Sequence, residues 1–278
     1  MIFITTFNKD IFNICGEDLL HSFIDTGNNK NHKLAVFFEH IDIDNELGYC
    51  PPWLSKWVGI DNIILIDLLY DKNISKLDIE LSPKIQHTDE YSSPRSVKWF
   101  RAVSAIKQAG EMVNDSFCSI DADCKFISEV NESFFEPLMN YNISFLGREN
   151  FNVMRHGGYD RDGNYIHTNT QFATKKDTHT ETGFILFNMK LKGTQEFINR
   201  NYEYWTSQEI LNLEYKTDCH TFDATRKEMI NLKYNNLCEP MGSTSPIGSR
   251  VIEESILGSF LIHNKGTIGP TLYSNNLL

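Results

Sequence analysis

Phe117-Cys118-Ser119-Ile120-Asp121-Ala122-Asp123-Cys124 is a short, largely apolar run that stops at two carboxylates one residue apart. In a β-strand, side chains alternate between faces, so residues two apart point the same way. The spacing predicts that Asp121 and Asp123 converge on one point at a strand's end, with Ala122 too small to obstruct it. Two hard oxygen donors on one point suit Mg²⁺ or Mn²⁺, above all where substrate phosphates complete the shell. An Asp-x-Asp taken alone is by default a solvated turn, so the surrounding elements decide.

Those elements read as α/β. Met1-Ile2-Phe3-Ile4-Thr5-Thr6-Phe7 reads as a buried first strand and lacks the basic start and apolar length of a signal peptide. Phe12, Leu19, Leu20 and Phe23 fall near helical spacing, and Lys33 to Glu39 is a second apolar strand. Strand, helix, strand is the opening of a parallel sheet. The run Ile63 to Leu69 fits strand or helix. Residues 71–94, polar and carrying Pro83 and Pro94, read as an irregular connection.

A helix is expected from Val97 to Val113, running into the acidic strand at 117–123. Strands follow at Ile143 to Gly147 and Thr182 to Asn188, with helices over Gly193–Ser207 and Asp218–Ile230. Residues 147–178 are a long polar stretch, and loops of that length are functional lids or disordered.

Composition narrows the function classes. The 278 residues, 41% of them apolar with 19 Phe, supply a sizeable core. No repeat or linker interrupts them, so one domain over 1–278 is expected, with a nucleotide-binding half at about 1–125 and an acceptor half at about 126–278. No run approaches the roughly 18 to 20 apolar residues of a membrane span, which points to the cytoplasm, or a host's cytoplasm if the chain is phage-encoded. Six scattered cysteines without a Cys-x-x-Cys pair argue against a zinc ribbon or a disulfide framework. A net charge of −11 argues against a large basic surface for duplex nucleic acid, though not against a local basic groove.

Four segments, in order, resemble a metal-dependent glycosyltransferase of the GT-A type. They are the strand ending Thr5-Thr6-Phe7, the Lys98/Arg101 helix leading into Ile120-Asp121-Ala122-Asp123, Glu181-Thr182-Gly183-Phe184-Ile185-Leu186-Phe187-Asn188, and Leu261-Ile262-His263-Asn264-Lys265-Gly266. The resemblance spans nearly the whole chain and is nearest to small glycosyltransferases of phages and bacteria. Those share an Asp-x-x-x-Phe/Trp-Asp-x-x-Arg segment, here Asp218-Cys219-His220-Thr221-Phe222-Asp223-Ala224-Thr225-Arg226. Two departures stand out: the acidic strand is Cys-Ser-Ile rather than large aliphatics, and no Trp follows the terminal Lys segment.

The resemblance implies a single Rossmann-like domain with a mixed, mainly parallel sheet flanked by helices. It implies transfer of a sugar from a nucleoside-diphosphate sugar, a UDP-sugar favoured, to an acceptor hydroxyl, with retention favoured. Asp121, Asp123 and His263 would hold Mn²⁺ or Mg²⁺, while Thr5, Thr6, Phe7, Arg101, Asp121, Lys265 and Gly266 would bind the donor. Asp218 and Glu181 would flank the reacting sugar. Each residue also has a plainer reading: His263 as a core histidine, Thr5 and Thr6 as strand caps, Arg101 and Lys98 on a solvated face. Asp223 and Arg226 could simply pair at i, i+3.

By the resemblance, the acceptor would be a glycan or a hydroxymethylated base of phage DNA. The latter would draw on Arg148, Arg155, His156, Arg161, Lys175 and Lys176, interleaved with Phe151, Tyr159, Tyr165 and Phe172. Two rival classes are a phosphoryl- or nucleotidyl-transferring enzyme, for which no Walker motif is present, and a nucleotide- or glycan-binding module without turnover.

Overall fold

The computed structural model describes residues 1–39, 50–85, 94–148, 179–213, 216–238 and 251–263. Along the chain, β1 (Ile2–Asn8) leads through α1 (Lys9–Ile11), a π-helical turn (Phe12–Gly16) and α2 (Glu17–Asp25) into β2 (Lys33–Glu39). Next come β3 (Ile63–Asp67), α3 (Asn73–Glu80), α4 (Phe100–Met112), β4 (Ser116–Ile120) and β5 (Cys124–Phe126). The remainder holds β6 (Ile143–Arg148), β7 (His179–Asn188), α5 (Thr194–Thr206), α6 (Asp218–Glu228), β8 (Tyr234–Asn236) and β9 (Leu261–His263).

Seven strands form one sheet in the order β3-β2-β1-β4-β7-β6-β8. β1 is parallel to β2 and β4, β2 to β3, and β6 to β8, while β7 runs antiparallel to both β4 and β6. The expected mixed, mainly parallel α/β sheet is therefore what forms. β5 and β9 make a separate two-stranded ribbon.

Strand alternation divides the core in two. Phe3 and Phe7 of β1, Cys118 and Ile120 of β4, and Phe184 and Leu186 of β7 pack with α2 on one face. Ile4, Phe117, Ile185 and Phe187, their neighbours in sequence, pack with α4 and α5 on the other. Burial on both faces is why these strands read as nearly continuous apolar runs. Both layers draw on residues from each half of the chain, so the sheet is continuous across position 125.

Two local expectations change. The run at 63–69 is a strand only as far as Asp67, whose carboxylate accepts from Leu69 N at 2.9 Å and turns the chain into a 3₁₀ segment. Within 71–94, α3 forms where an irregular connection was expected. Ile74 and Leu77, three apart and each 1% exposed, give it a buried stripe too short to show against its polar surroundings. Of the polar 147–178 stretch, only Gly147 and Arg148, at the end of β6, are among the described residues. No helix among the described residues is long and apolar enough to cross a membrane.

The Asp223/Arg226 pair has a structural partner set. Asp223, 1% exposed, accepts from Thr180 N at 3.0 Å and Thr180 Oγ1 at 2.6 Å, and pairs with Arg226 at 3.2 Å. The Arg226 guanidinium lies over the Phe145 ring, 5.1 Å from its centre. This strut fixes α6 to the start of β7. Removing one member of a buried, hydrogen-bonded pair strands the others, so Asp223→Ala is expected to cost about 3 kcal/mol. Urea unfolding measures it, and a loss below about 1 kcal/mol would assign the pair to the solvated surface.

Candidate active site

Asp121 and Asp123 do not continue β4. The strand ends at Ile120, and Asp121-Ala122-Asp123 form a turn closed by Cys124 N donating to Asp121 O at 3.1 Å. The predicted convergence by strand alternation is replaced by convergence through a turn. The reason is a change of partner: β4 pairs with β7 as far as Ile120 opposite Phe184, and the chain then joins β9 as β5.

That second pairing sets Cys124 opposite His263. His263 Nε2 lies 2.7 Å from Asp123 Oδ1 and 3.6 Å from Asp121 Oδ2. The His263 side chain is 1% exposed, against 17% for Asp123 and 36% for Asp121, so the cluster opens outward from a buried imidazole. The His263 backbone N–H donates to Glu253 Oε1 at 2.8 Å, tying the ribbon's end to the preceding turn.

A bulge in β7 shapes the other wall. Ile185 faces Phe145, but the next pair along is Glu181 with Leu146, so Thr182, Gly183 and Phe184 are in excess over β6. Bulges re-aim the chain beside functional sites. Here the bulge lets Gly183 O accept from Asp121 N at 3.2 Å. A Cβ on Gly183 would stand 3.3 Å from both Asp121 Oδ2 and His263 Cε1, so only glycine leaves the cluster uncrowded.

Thr182, beside it, donates its hydroxyl to Asp218 Oδ2 at 2.8 Å, and Cys219 N donates to Asp218 Oδ1 at 2.9 Å. Asp218 opens α6, where a negative charge meets the positive end of the helix. Thr217 caps the same end, accepting from His220 N at 3.3 Å. Burial, followed by the charges of Asp218 and Glu181, pushes the Cys219 thiol well above its ordinary range. Both carboxylates therefore lie within electrostatic reach of one thiol, with Glu181 half-buried.

Between these walls a cavity of about 40 Å³ reaches inward from the turn. Thr5 and Thr6 of β1, Asp121 and Ala122 of the turn, Thr182, Asn201 of α5 and Asp218 line it, with apolar residues of α4. Thr5 Oγ1 and Asn201 Oδ1 are buried without a partner among the described residues, in residues 2% and 3% exposed. Buried polar atoms are nearly always paired, with ordered water or ligand where protein is lacking.

The structure thus gathers Asp121, Asp123, His263, Asp218, Thr5 and Thr6, with Glu181 beside Asp218. Phe7 instead sits in an aromatic cluster, 5.7 Å from Phe12 and 6.3 Å from Trp53 between ring centres. The Arg101 guanidinium is engaged twice over. It meets Glu39 at 2.6 and 2.9 Å and Asp78 at 2.9 and 3.3 Å, both bidentate. Burial alone would lower its pKa, and the Glu39 and Asp78 carboxylates more than offset that, leaving it raised. Lys265 and Gly266 lie outside the described residues.

Sequence reasoning did not single out Thr182, Gly183, Asn201 or Cys15 as site residues. A glycine inside an apolar strand is a signal for a bulge or close approach, and Gly183 carries it. Cys15 has no such signal. It lies in the π-helical turn, where burial and then Asp123 and Asp121 push its thiol up to about 12, placing it near the carboxylates.

Asp123 and Asp121 oxygens 2.7 and 3.6 Å from the His263 imidazole, with space kept clear by a glycine, are donor types that suit a divalent cation. Asp123, Cys124 and His263 are the donors that lie within 4.8 Å of one another. Gly183→Val is expected to weaken Mn²⁺ binding by about 10- to 100-fold, as loss of a supporting shell does, while the melting temperature stays within a few degrees. Mn²⁺ titration by electron paramagnetic resonance checks it, and unchanged affinity would show that the cluster tolerates a side chain there.

No protein-family model matches the chain, and the curated proteins hold no match to its sequence. Solved structures do match. An active-site mutant of LgtC superposes with a TM-score of 0.52 at 12% identity, covering 95% of this chain and 86% of that one. The apo WbbM bifunctional glycosyltransferase gives 0.51 at 13%, covering 86% of this chain but 38% of that larger one. Mouse xyloside xylosyltransferase 1, apo form, gives 0.49 at 16%, with 85% of each chain covered. At such identities the likeness is one of fold, and the fold is that of GT-A-like glycosyltransferases.

Proposed function

We propose that this chain is a metal-dependent glycosyltransferase that moves a sugar from a nucleoside-diphosphate sugar, a UDP-sugar favoured, to an acceptor hydroxyl. One observation carries it: Asp121 and Asp123 converge on His263 beside a cavity that Asp218 also lines. The location supports it as well. Open α/β sheets bind ligands outside the carboxyl ends of their strands where strand order reverses. β1 and β4 are that point here, with β2 and β3 on one side and β4 on the other. The likeness of fold to LgtC and WbbM supports the same reaction class.

On this reading Asp121, Asp123 and His263 hold Mn²⁺ or Mg²⁺. When bound, the cation neutralises the departing diphosphate as a Lewis acid. The residues of the chain do the rest. Thr5 and Thr6 meet the nucleotide side of the donor, with Phe7 supporting β1 from behind. Arg101 acts through Glu39, holding the end of β2, and Lys265 and Gly266, outside the described residues, complete the proposed donor-binding set.

Asp218, oriented by the Thr182 hydroxyl and the Cys219 N–H, stabilises positive charge building at the anomeric carbon. Glu181 lends a second carboxylate to the same side. The bond from anomeric carbon to diphosphate oxygen breaks as the acceptor oxygen bonds on the same face. The acceptor's proton passes to the leaving diphosphate, and configuration is retained. The acceptor class is a glycan hydroxyl or a hydroxymethylated DNA base, and the setting is the cytoplasm of the cell or of a phage's host.

Without a cation, diphosphate and the two carboxylates repel each other. Calorimetric titration with nucleoside diphosphates should therefore show binding with Mn²⁺ and little with EDTA. Equal affinity in both would remove the metal role, and donor binding without hydrolysis or transfer would leave only a binding module. Mass spectrometry of candidate glycans and modified DNA identifies the acceptor.

Asp218→Asn keeps shape but removes charge, so turnover should fall by roughly 10² to 10³ with donor affinity nearly unchanged. A wild-type rate would take Asp218 out of the site. Proton NMR of fresh product reads the anomeric configuration, and an inverted product would overturn retention.

A further inference from the structure

Cys124 stands directly across the β5–β9 ribbon from His263, so the two side chains leave the ribbon on one face. Asp123 precedes it in the turn. One carboxylate oxygen of Asp123, the Cys124 sulfur and an imidazole nitrogen of His263 all lie within 4.8 Å of one another. Cys124 is 1% exposed, and its S–H points to the Gly183 carbonyl at 3.7 Å, toward the bulge that also borders Asp121 and His263. Ligand bonds of about 2.0 to 2.3 Å to a tetrahedral Zn²⁺ separate neighbouring donors by roughly 3.5 Å. Donors within 4.8 Å of one another stand near that separation.

We propose that Asp123, Cys124 and His263 form a thiophilic coordination mode of this centre, one that takes Zn²⁺ and similar soft divalent ions. The proposal rests on the metal reading above and adds a regulatory property to it. A hard ion has no use for sulfur and selects Asp121, Asp123 and His263. A softer ion ranks thiolate above carboxylate and, between Mn²⁺ and Zn²⁺, binds the same site more tightly. As it binds, the Cys124 S–H bond breaks, the sulfur's electron pair goes to the metal and the proton to solvent.

The consequence follows from coordination number. A four-coordinate ion with three protein ligands keeps one open position, too few to chelate a diphosphate through two oxygens. Zn²⁺ therefore competes with Mn²⁺ and excludes the donor, which makes the centre sensitive to free zinc.

Co²⁺ reports the coordination optically, because a thiolate ligand adds a sulfur-to-metal charge-transfer band in the near ultraviolet. Wild-type protein, reduced and kept anaerobic, is expected to show that band on titration with Co²⁺. Cys124→Ser is expected to lose it and to bind Zn²⁺ roughly tenfold or more weakly. Cys15→Ser, at the neighbouring thiol, is expected to keep it. Cys124→Ala serves in place of Cys124→Ser if the latter does not fold, with circular dichroism as the check.

Co²⁺ bound without the band, or a band that survives loss of the Cys124 thiol, overturns the proposal. Mn²⁺ binding by the wild type, read by electron paramagnetic resonance, stands apart from this. Mn²⁺ bound while the cobalt band is missing removes only the thiophilic mode, and failure to bind either ion removes the metal reading with it.

Discussion

The centre of this protein depends on a ribbon three residues long. β5 leaves the acidic turn and pairs with β9, and through that pairing His263 meets Asp123, 140 positions away in sequence. Without the ribbon, Asp121 and Asp123 would be two neighbouring carboxylates in a turn at the end of a central strand, repelling each other and well solvated. With it, a buried imidazole draws both to one side. Backbone hydrogen bonds at Phe126, whose N–H donates to Ser22 Oγ at 3.1 Å, and at Ile127, which donates to Phe260 O at 2.9 Å, anchor the ribbon to α2 and to the segment before β9.

The sheet supplies a fixed frame for that ribbon, and the frame ends where the site begins. β1 and β4 bury both faces up to Phe7 and Ile120. Toward that end packing gives way to polar side chains, and Thr5 and Asn201 keep buried oxygens that no partner among the described residues satisfies. The bulge in β7 has the same logic. A regular strand would have kept Thr182 and Gly183 in register with β6, and the excess residues carry them to Asp218 and Asp121 instead. Order in the sheet and disruption at its rim are parts of one arrangement.

Much of the frame is legible in the sequence because the strands are apolar on both faces: residues 1–7, 33–39 and 182–188 announce themselves as runs, while the polar His179-Thr180-Glu181 start of β7 does not. The Asp pair is legible too, though for a reason that fails in detail, since spacing suggested a strand and the chain makes a turn. What could not be read depends on distant partners. α3 hides because only Ile74 and Leu77 mark its inner side. Arg101 looks like a free cation in sequence, and only the fold reveals Glu39 and Asp78 closing on it. Cys15 comes within electrostatic range of the carboxylates through a π-helical turn that no local pattern specifies.

The order in which the chain is made gives the ribbon a further meaning. All seven strands of the main sheet have been synthesised once Asn236 is reached, but His263 is not. Domains form from the amino end during synthesis, and contacts between distant residues form late because loop closure must precede them. The sheet can therefore assemble while the acidic turn still lacks its imidazole. The segment from Val251 to His263, made after those strands, also brings Val251, Ile252, Leu257 and Leu261 into the face that covers α2. The same segment thus covers that face and brings His263 to the acidic turn, so core and candidate centre share their last contributor.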